Sequence, residues 1–188
     1  PGALEEMTFW PSWYEGEEDQ RSRVEPDVVL QCKERVVIVE AKRYDGCQQQ
    51  YADQLARELR AIKGKKFDRP ILLAVGGMRS NSKEEIDRLR KEVSEALNSK
   101  SDALNDKYEY DLVFISWRRL YESSSVTVRN CSENSGLQRV LKDVEQAYDW
   151  HGVRYQERRW LKDLKLVGIC VDGYLTGFDW FLGDKSRG

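Results

Sequence analysis

At 188 residues the chain is long enough for one domain with a hydrophobic core and short for two. Charged residues make up 34% and hydrophobic residues 40%, a balance that excludes an extended disordered chain and suits a globular one. The formal net charge of -2 argues against general electrostatic capture of nucleic acid, and no apolar run approaches the ~20 residues that span a bilayer. A local basic groove stays compatible with that charge, because only the charges that face phosphate matter. Cys32, Cys47, Cys131 and Cys170 are scattered without a C-x-x-C pair, so they read as reduced thiols in a cytoplasmic protein. No secretory signal is legible.

In chain order, Ala3 to Met7 reads as the end of a helix, with Leu4-Glu5-Glu6 as its last turn. Thr8-Phe9-Trp10-Pro11-Ser12-Trp13-Tyr14 is an aromatic cluster broken by proline. Core or edge packing is its expected use, and stacking on bases is the alternative. An acidic loop, Glu15 to Arg23, follows. Then come two β-branched runs, Glu25-Pro26-Asp27-Val28-Val29-Leu30 and Arg35 to Lys42, separated by Gln31-Cys32-Lys33-Glu34; this spacing predicts an antiparallel hairpin. Alternation along a strand puts Glu40 and Lys42 on one face and Val37, Val39 and Ala41 on the other. Antiparallel pairing through so short a turn brings Asp27 alongside Glu40. Two acids and a lysine therefore converge, and paired carboxylates suit a hard divalent cation that polarises phosphoryl oxygens or activates water.

A polar loop with the turn signal Asp45-Gly46 leads to a helix from about Gln49 to Lys63, whose Leu55, Leu59 and Ile62 form one stripe. Gln54 lies beside that stripe. Lys63, Lys65, Lys66 and Arg69 form a basic run, which is either a solvated loop or a contact to a phosphate backbone. Pro70 to Val75 is a continuous apolar run that predicts a central strand buried on both faces, with Gly76-Gly77 as its exit. Ser82 is placed to cap a helix from Lys83 to about Asn98, with Ile86, Leu89, Val93 and Leu97 on its inner face. Tyr110 to Trp117 predicts another strand, ending in Arg118-Arg119, which would reach nucleic acid or pair with surface acids. Ser135 is the expected cap of a last helix with Leu137, Val140, Leu141, Val144 and Tyr148 as its stripe. His151 follows at the helix end, where a cation suits the dipole. Arg154, Arg158, Arg159 and Lys162 precede a hairpin built around Asp172-Gly173.

Pro26-Asp27 followed by Glu40-Ala41-Lys42 resembles the PD-(D/E)XK nuclease superfamily. Tyr51-Ala52-Asp53-Gln54-Leu55 is similar to the glutamine-bearing helix of its RecB-like members. The likeness covers roughly the first third of the chain closely and the later order of elements loosely. It implies a restriction-endonuclease-like α/β sandwich, with a mixed central sheet flanked by helices, and a single domain over 1–188: a core at about 4–150 and a C-terminal segment at 151–188. It further implies a magnesium- or manganese-dependent deoxyribonuclease. Asp27, Glu40 and the Ala41 carbonyl would hold the metal, joined by Glu6 (or Glu5) from a preceding helix. Lys42 would position the attacking water, and Gln54 would steady substrate or water. The scattered cysteines do not match the iron-sulfur cluster of some RecB-like nucleases. DNA is the implied partner, with Lys63, Lys65, Lys66, Arg118 and Arg119 as candidate contacts and with targeting left to a further domain, a subunit or a homodimer. The alternative is a catalytically inactive binding or scaffold module on the same fold. A nucleotide-binding α/β domain, with Gly76-Gly77 cradling phosphate, is a third reading.

Overall fold

A computed structural model of the chain describes residues 2–15, 22–62, 69–99, 108–131 and 135–153. Residues Pro1–Gln156 form one compact unit and Glu157–Gly188 a second, and all the described residues belong to the first. The hairpin expected around Asp172-Gly173 and the basic residues from Arg154 to Lys162 lie outside the described residues, as do Lys63, Lys65 and Lys66.

The chain is α/β. Strands β1 (Leu4–Phe9), β4 (Val28–Cys32), β5 (Val36–Ala41), β6 (Ile71–Val75) and β7 (Asp111–Ile115) form a five-stranded sheet in the order β1-β4-β5-β6-β7. The first three strands pair antiparallel and the last three parallel, so the sheet is mixed. Strands β2 (Trp13–Glu15) and β3 (Ser22–Val24) make a separate antiparallel pair. Helices α1 (Ala52–Ile62), α2 (Lys83–Asn98), α3 (Trp117–Asn130) and α4 (Ser135–His151) flank the sheet. Among the described residues, no helix is long and apolar enough to cross a membrane.

The β-branched runs become β4 and β5 because the intervening turn closes with Cys32 N–H donating to Arg35 O at 2.9 Å. Parallel crossovers from β5 through α1 to β6, and through α2 to β7, bring both helices to one face. Val36, Ile38, Leu72 and Leu112 of the sheet meet Leu55, Leu59 and Ile62 of α1 and Leu89, Val93 and Leu97 of α2 in one core. Each fully buried leucine or isoleucine there contributes ~1.5–3 kcal/mol relative to exposure. On the other face the register aligns an apolar row across all five strands: Phe9, Val28, Val39, Leu73 and Val113. Its ends are open, with Phe9 53% and Val113 45% exposed. Strand β6 is central as expected, but its burial alternates: Leu72 and Ala74 are enclosed while Ile71 and Leu73 are only half-buried.

Two elements differ from the sequence reading. Leu4–Phe9 is a strand, not the end of a helix. Its backbone groups are satisfied by the open edge of β4, whereas so short a stretch could not sustain the cost of helix nucleation. Strand β7 stops at Ile115, and the following residues form α3, which the sequence reading lacked. Ser123-Ser124-Ser125 and the β-branched Val126-Thr127-Val128 are poor helix formers, so the periodicity is weak. Contacts at its start hold the helix instead. Ser116 accepts from Arg119 N–H at 3.2 Å, and the Asp45 carboxylate accepts from Trp117 N–H at 3.2 Å and Arg118 N–H at 3.4 Å. Tyr148 of α4 then packs edge-on against Trp117, with ring centroids 5.9 Å apart. Helix α2 runs over the expected residues, with Ser82 accepting from Glu85 N–H at 3.3 Å. In α4 the expected stripe is buried only towards its end: Leu137 and Val140 are exposed, Leu141 and Val144 half-buried, and Tyr148 enclosed.

Candidate functional site

The site is built where the apolar part of the β4–β5 hairpin ends. Val28 pairs with Val39, so the next pair outward is Asp27 and Glu40, and both share the α1 side of the sheet with Ile38. Asp27 Oδ2 accepts from Ala41 N–H at 2.7 Å, which ties the first acid to the strand carrying the second. The Glu40 side chain is 4% exposed and that of Lys42 20%. Glu40 Oε1 receives the Lys42 ammonium at 2.5 Å and the Gln54 amide at 2.6 Å, while Lys42 Nζ also donates to Gln54 Oε1 at 2.9 Å. Carboxylate, ammonium and amide thus close a triangle across β5 and α1.

Asp27, Glu40, Lys42 and Gln54 are therefore brought together, and Ala41, the last residue of β5, lies between Glu40 and Lys42. Glu6 is not part of this group. It pairs with Gln31, which pairs with Val36, so it stands at the other end of the sheet from Glu40. The expectation for Glu5 and Glu6 fails because their segment is an edge strand. Arg118 and Arg119 lie in the first turn of α3 rather than at a strand end. Both meet Glu122, Arg118 Nε at 2.8 Å and Arg119 Nη1 at 3.4 Å.

Sequence reasoning missed two residues. Glu58 is fully buried on α1, and Gln54 Nε2 donates to its Oε1 at 3.4 Å. Burial, followed by the nearby Glu40 charge and a hydrogen bond with Glu40, pushes its carboxyl up to about 9. The Oε2 atoms of Glu40 and Glu58 are both buried and meet no N–H or hydroxyl. A proton on Glu58 turns these two atoms into a donor and an acceptor. The signal for Glu58 was its place on the helical stripe of Leu55, Leu59 and Ile62, where a charged residue is out of pattern. Gln50 is also buried, and its amide reaches Glu40 O at 3.2 Å and Gly76 O at 3.1 Å, joining the start of α1 to the ends of β5 and β6. A glutamine in a polar loop carries no sequence signal for that role.

Gly76 and Gly77 have φ of 64° and 69°. A Cβ on Gly77 would come within 2.6 Å of Lys42 Cβ, so glycine here lets the lysine pass against the turn. The pair is a strand exit rather than a cradle for phosphate: both N–H groups are already donated, Gly76 to Ile115 O at 2.9 Å and Gly77 to Tyr44 O at 2.7 Å. Trp117 Nε1 donates to Lys42 O at 2.6 Å, fixing the backbone beyond Lys42. On the opposite flank Trp10 takes a left-handed φ of 48° and donates its N–H to Asp27 O at 3.1 Å; its ring is 63% exposed.

The donor set fits a hard cation in kind. Asp27 and Glu40 face each other across the β4–β5 ladder as hard oxygen donors, and neither histidine nor cysteine takes part. Two carboxylates leave the remaining positions to carbonyl and water, as magnesium tolerates. Among the described residues, no group of three or more histidine, cysteine, aspartate or glutamate side chains is arranged to hold a metal.

The chain is 40% identical over 166 residues to the uncharacterized protein PM0110 of Pasteurella multocida, an alignment that covers 87% of this chain. The chain spans 61% of that protein's length. No protein-family model and no solved structure matches the chain.

Proposed function

We propose that the chain is a metal-dependent nuclease of the PD-(D/E)XK superfamily, hydrolysing phosphodiester bonds in DNA with magnesium or manganese. The observation that carries this reading is the convergence of Asp27, Glu40, Lys42 and Gln54, from the adjoining ends of β4 and β5 and from α1, at one end of the sheet. A bound divalent cation supplies polarisation of the phosphoryl oxygen and a lowered pKa for water. Asp27 and Glu40 would hold it together with the Ala41 carbonyl. Lys42 orients the attacking water and offsets charge developing on the phosphate, and Gln54 keeps lysine and carboxylate at fixed spacing. The net charge of -2 supplies no general attraction to DNA, so targeting falls to a further domain, a subunit or a second copy, in the cytoplasm.

One observation favours a second reading, an inactive module on the same fold. The Glu40–Lys42 pair is closed on itself and Glu40 is nearly enclosed, as in a structural ion pair. A cleavage panel of single-stranded, duplex, branched and RNA substrates separates the two. The nuclease reading expects manganese-dependent cutting that excess chelator abolishes. Absence of both cutting and manganese binding across the panel leaves the inactive module.

A further inference from the structure

Loops at the carboxyl ends of β5 and β6, the first turn of α3 and the end of α4 enclose a cavity of about 450 Å³. Arg43 and Tyr44 line it from the first loop, Arg79 and Asn81 from the second, and Arg118 from α3. The one carboxylate in the lining, Asp45, is engaged by the α3 amides of Trp117 and Arg118. Arg118 is held by Glu122. Among the described residues, neither Arg43 nor Arg79 is in an ion pair; Arg43 instead lies over the Tyr44 ring, 5.0 Å from its centroid. In a chain of net charge -2, two guanidinium groups outside any ion pair, beside a single carboxylate already engaged by backbone amides, mark a place for an anion.

We infer that this cavity seats one phosphate-bearing nucleotide of a single strand, with its phosphate on Arg43 and Arg79 and its base against Tyr44. Planar guanidinium forks match phosphate oxygens, and an aromatic face accepts any base. The cavity has the volume of a small-molecule site, which admits one nucleotide and not a base-paired duplex. Tyr44 is 43% exposed even with Arg43 over its ring. The cavity lies at the same end of the sheet as the candidate active site, beyond the carboxyl ends of β5 and β6. Arg43 follows Lys42 directly, and Trp117 of the adjoining wall holds the Lys42 carbonyl. On this inference a strand seated here continues towards Asp27 and Glu40. The inference rests on the nuclease reading for its biological meaning, and it names the substrate of that site as a single strand.

Binding in chelator, without turnover, tests it separately. Fluorescence anisotropy would follow a short oligothymidylate on the wild type and on R43A, R79A and the double variant, with thermal melting as a check on folding. The expected result is at least a tenfold loss of affinity in the double variant and a shallower dependence of affinity on salt. Tyr44→Ala should weaken the oligonucleotide while leaving competition by inorganic phosphate unchanged. Affinity of the folded double variant within twofold of wild type overturns the inference, as does absence of binding to the wild type. Duplex of equal length competing as well as single strand also overturns it. Thymidine monophosphate competing as well as the oligonucleotide would mean a free nucleotide site instead. Arginine-dependent binding without cleavage on any substrate leaves the cavity standing and sinks the nuclease. Manganese-dependent cleavage with normal binding by the arginine variants does the reverse.

Discussion

Glu58 occupies a place on α1 where an apolar side chain would complete the stripe of Leu55, Leu59 and Ile62, and it lies against the Glu40 carboxylate. Its raised pKa gives stability a direction with pH. The unfolded carboxyl titrates near 4.5 and the folded one near 9, so between these values the folded chain keeps a proton that the unfolded chain has lost. Stability supplied by that proton is complete below 4.5 and is lost as pH rises towards 9. Glu58→Gln mimics the protonated form and should raise the unfolding free energy at pH 8 by about 1–2 kcal/mol, with little effect at pH 4. Urea titrations at the two values check this, and an equal effect at both would mean that the proton is not held. Under the proposed nuclease function, substitutions at Lys42 and Glu40 should separate binding from chemistry. Glu40→Gln should lower manganese affinity and cleavage together, since a negative ligand is gone. Lys42→Ala removes a positive charge from beside the cation, so calorimetry should find manganese bound at least as tightly while hydrolysis falls by about 10²-fold or more. Cutting by Lys42→Ala at the wild-type rate would falsify the assignment of this lysine.

At the scale of elements, the site depends on how β5, β6 and α3 end. Gly77 has a left-handed φ and lies against Lys42, so Gly77→Ala meets both backbone strain and a clash with the lysine stem. A loss of ~2 kcal/mol or more is expected in chemical unfolding, with cleavage falling further than folding alone explains, because Lys42 would be displaced. Normal stability in Gly77→Ala would show that the turn relaxes freely. Asp45→Ala removes the acceptor for the first amides of α3 and should cost ~1 kcal/mol. The same change should loosen the Trp117 contact to the Lys42 carbonyl, which hydrogen exchange at the start of α3 can follow.

For the whole molecule, the mixed sheet sets one long edge at which β4 begins and β5, β6 and β7 end. Both the acidic cluster and the arginine-lined cavity lie along it, the usual place for ligands in open α/β sheets. Metal dependence belongs to this scale because a cation held only by the folded chain stabilises it by mass action. Manganese at about 100 times its dissociation constant should add ~2.7 kcal/mol, seen as a rise in melting temperature that Glu40→Gln abolishes. Calcium should produce a similar rise with little turnover, since its looser coordination does not align water. An unchanged melting temperature in both metals would remove the metal site.

What the sequence determined by itself was local. Two β-branched runs and their alternation specified the β4–β5 hairpin and the shared face of Asp27, Glu40 and Lys42, because neighbours across a short turn have little choice of register. The capped, periodic α2 was equally legible, since its N-cap and apolar face lie within its own 16 residues. Tertiary structure alone decided the rest. Leu4–Phe9 became a strand because an unpaired β4 edge was there to receive it, and α3 formed from poor helix formers because Asp45, some 70 residues earlier, caps it. Glu58 is ionisable in any sequence reading. Only its enclosure against Glu40 shifts the proton, because the cost of burying a second negative charge depends on what surrounds it in space.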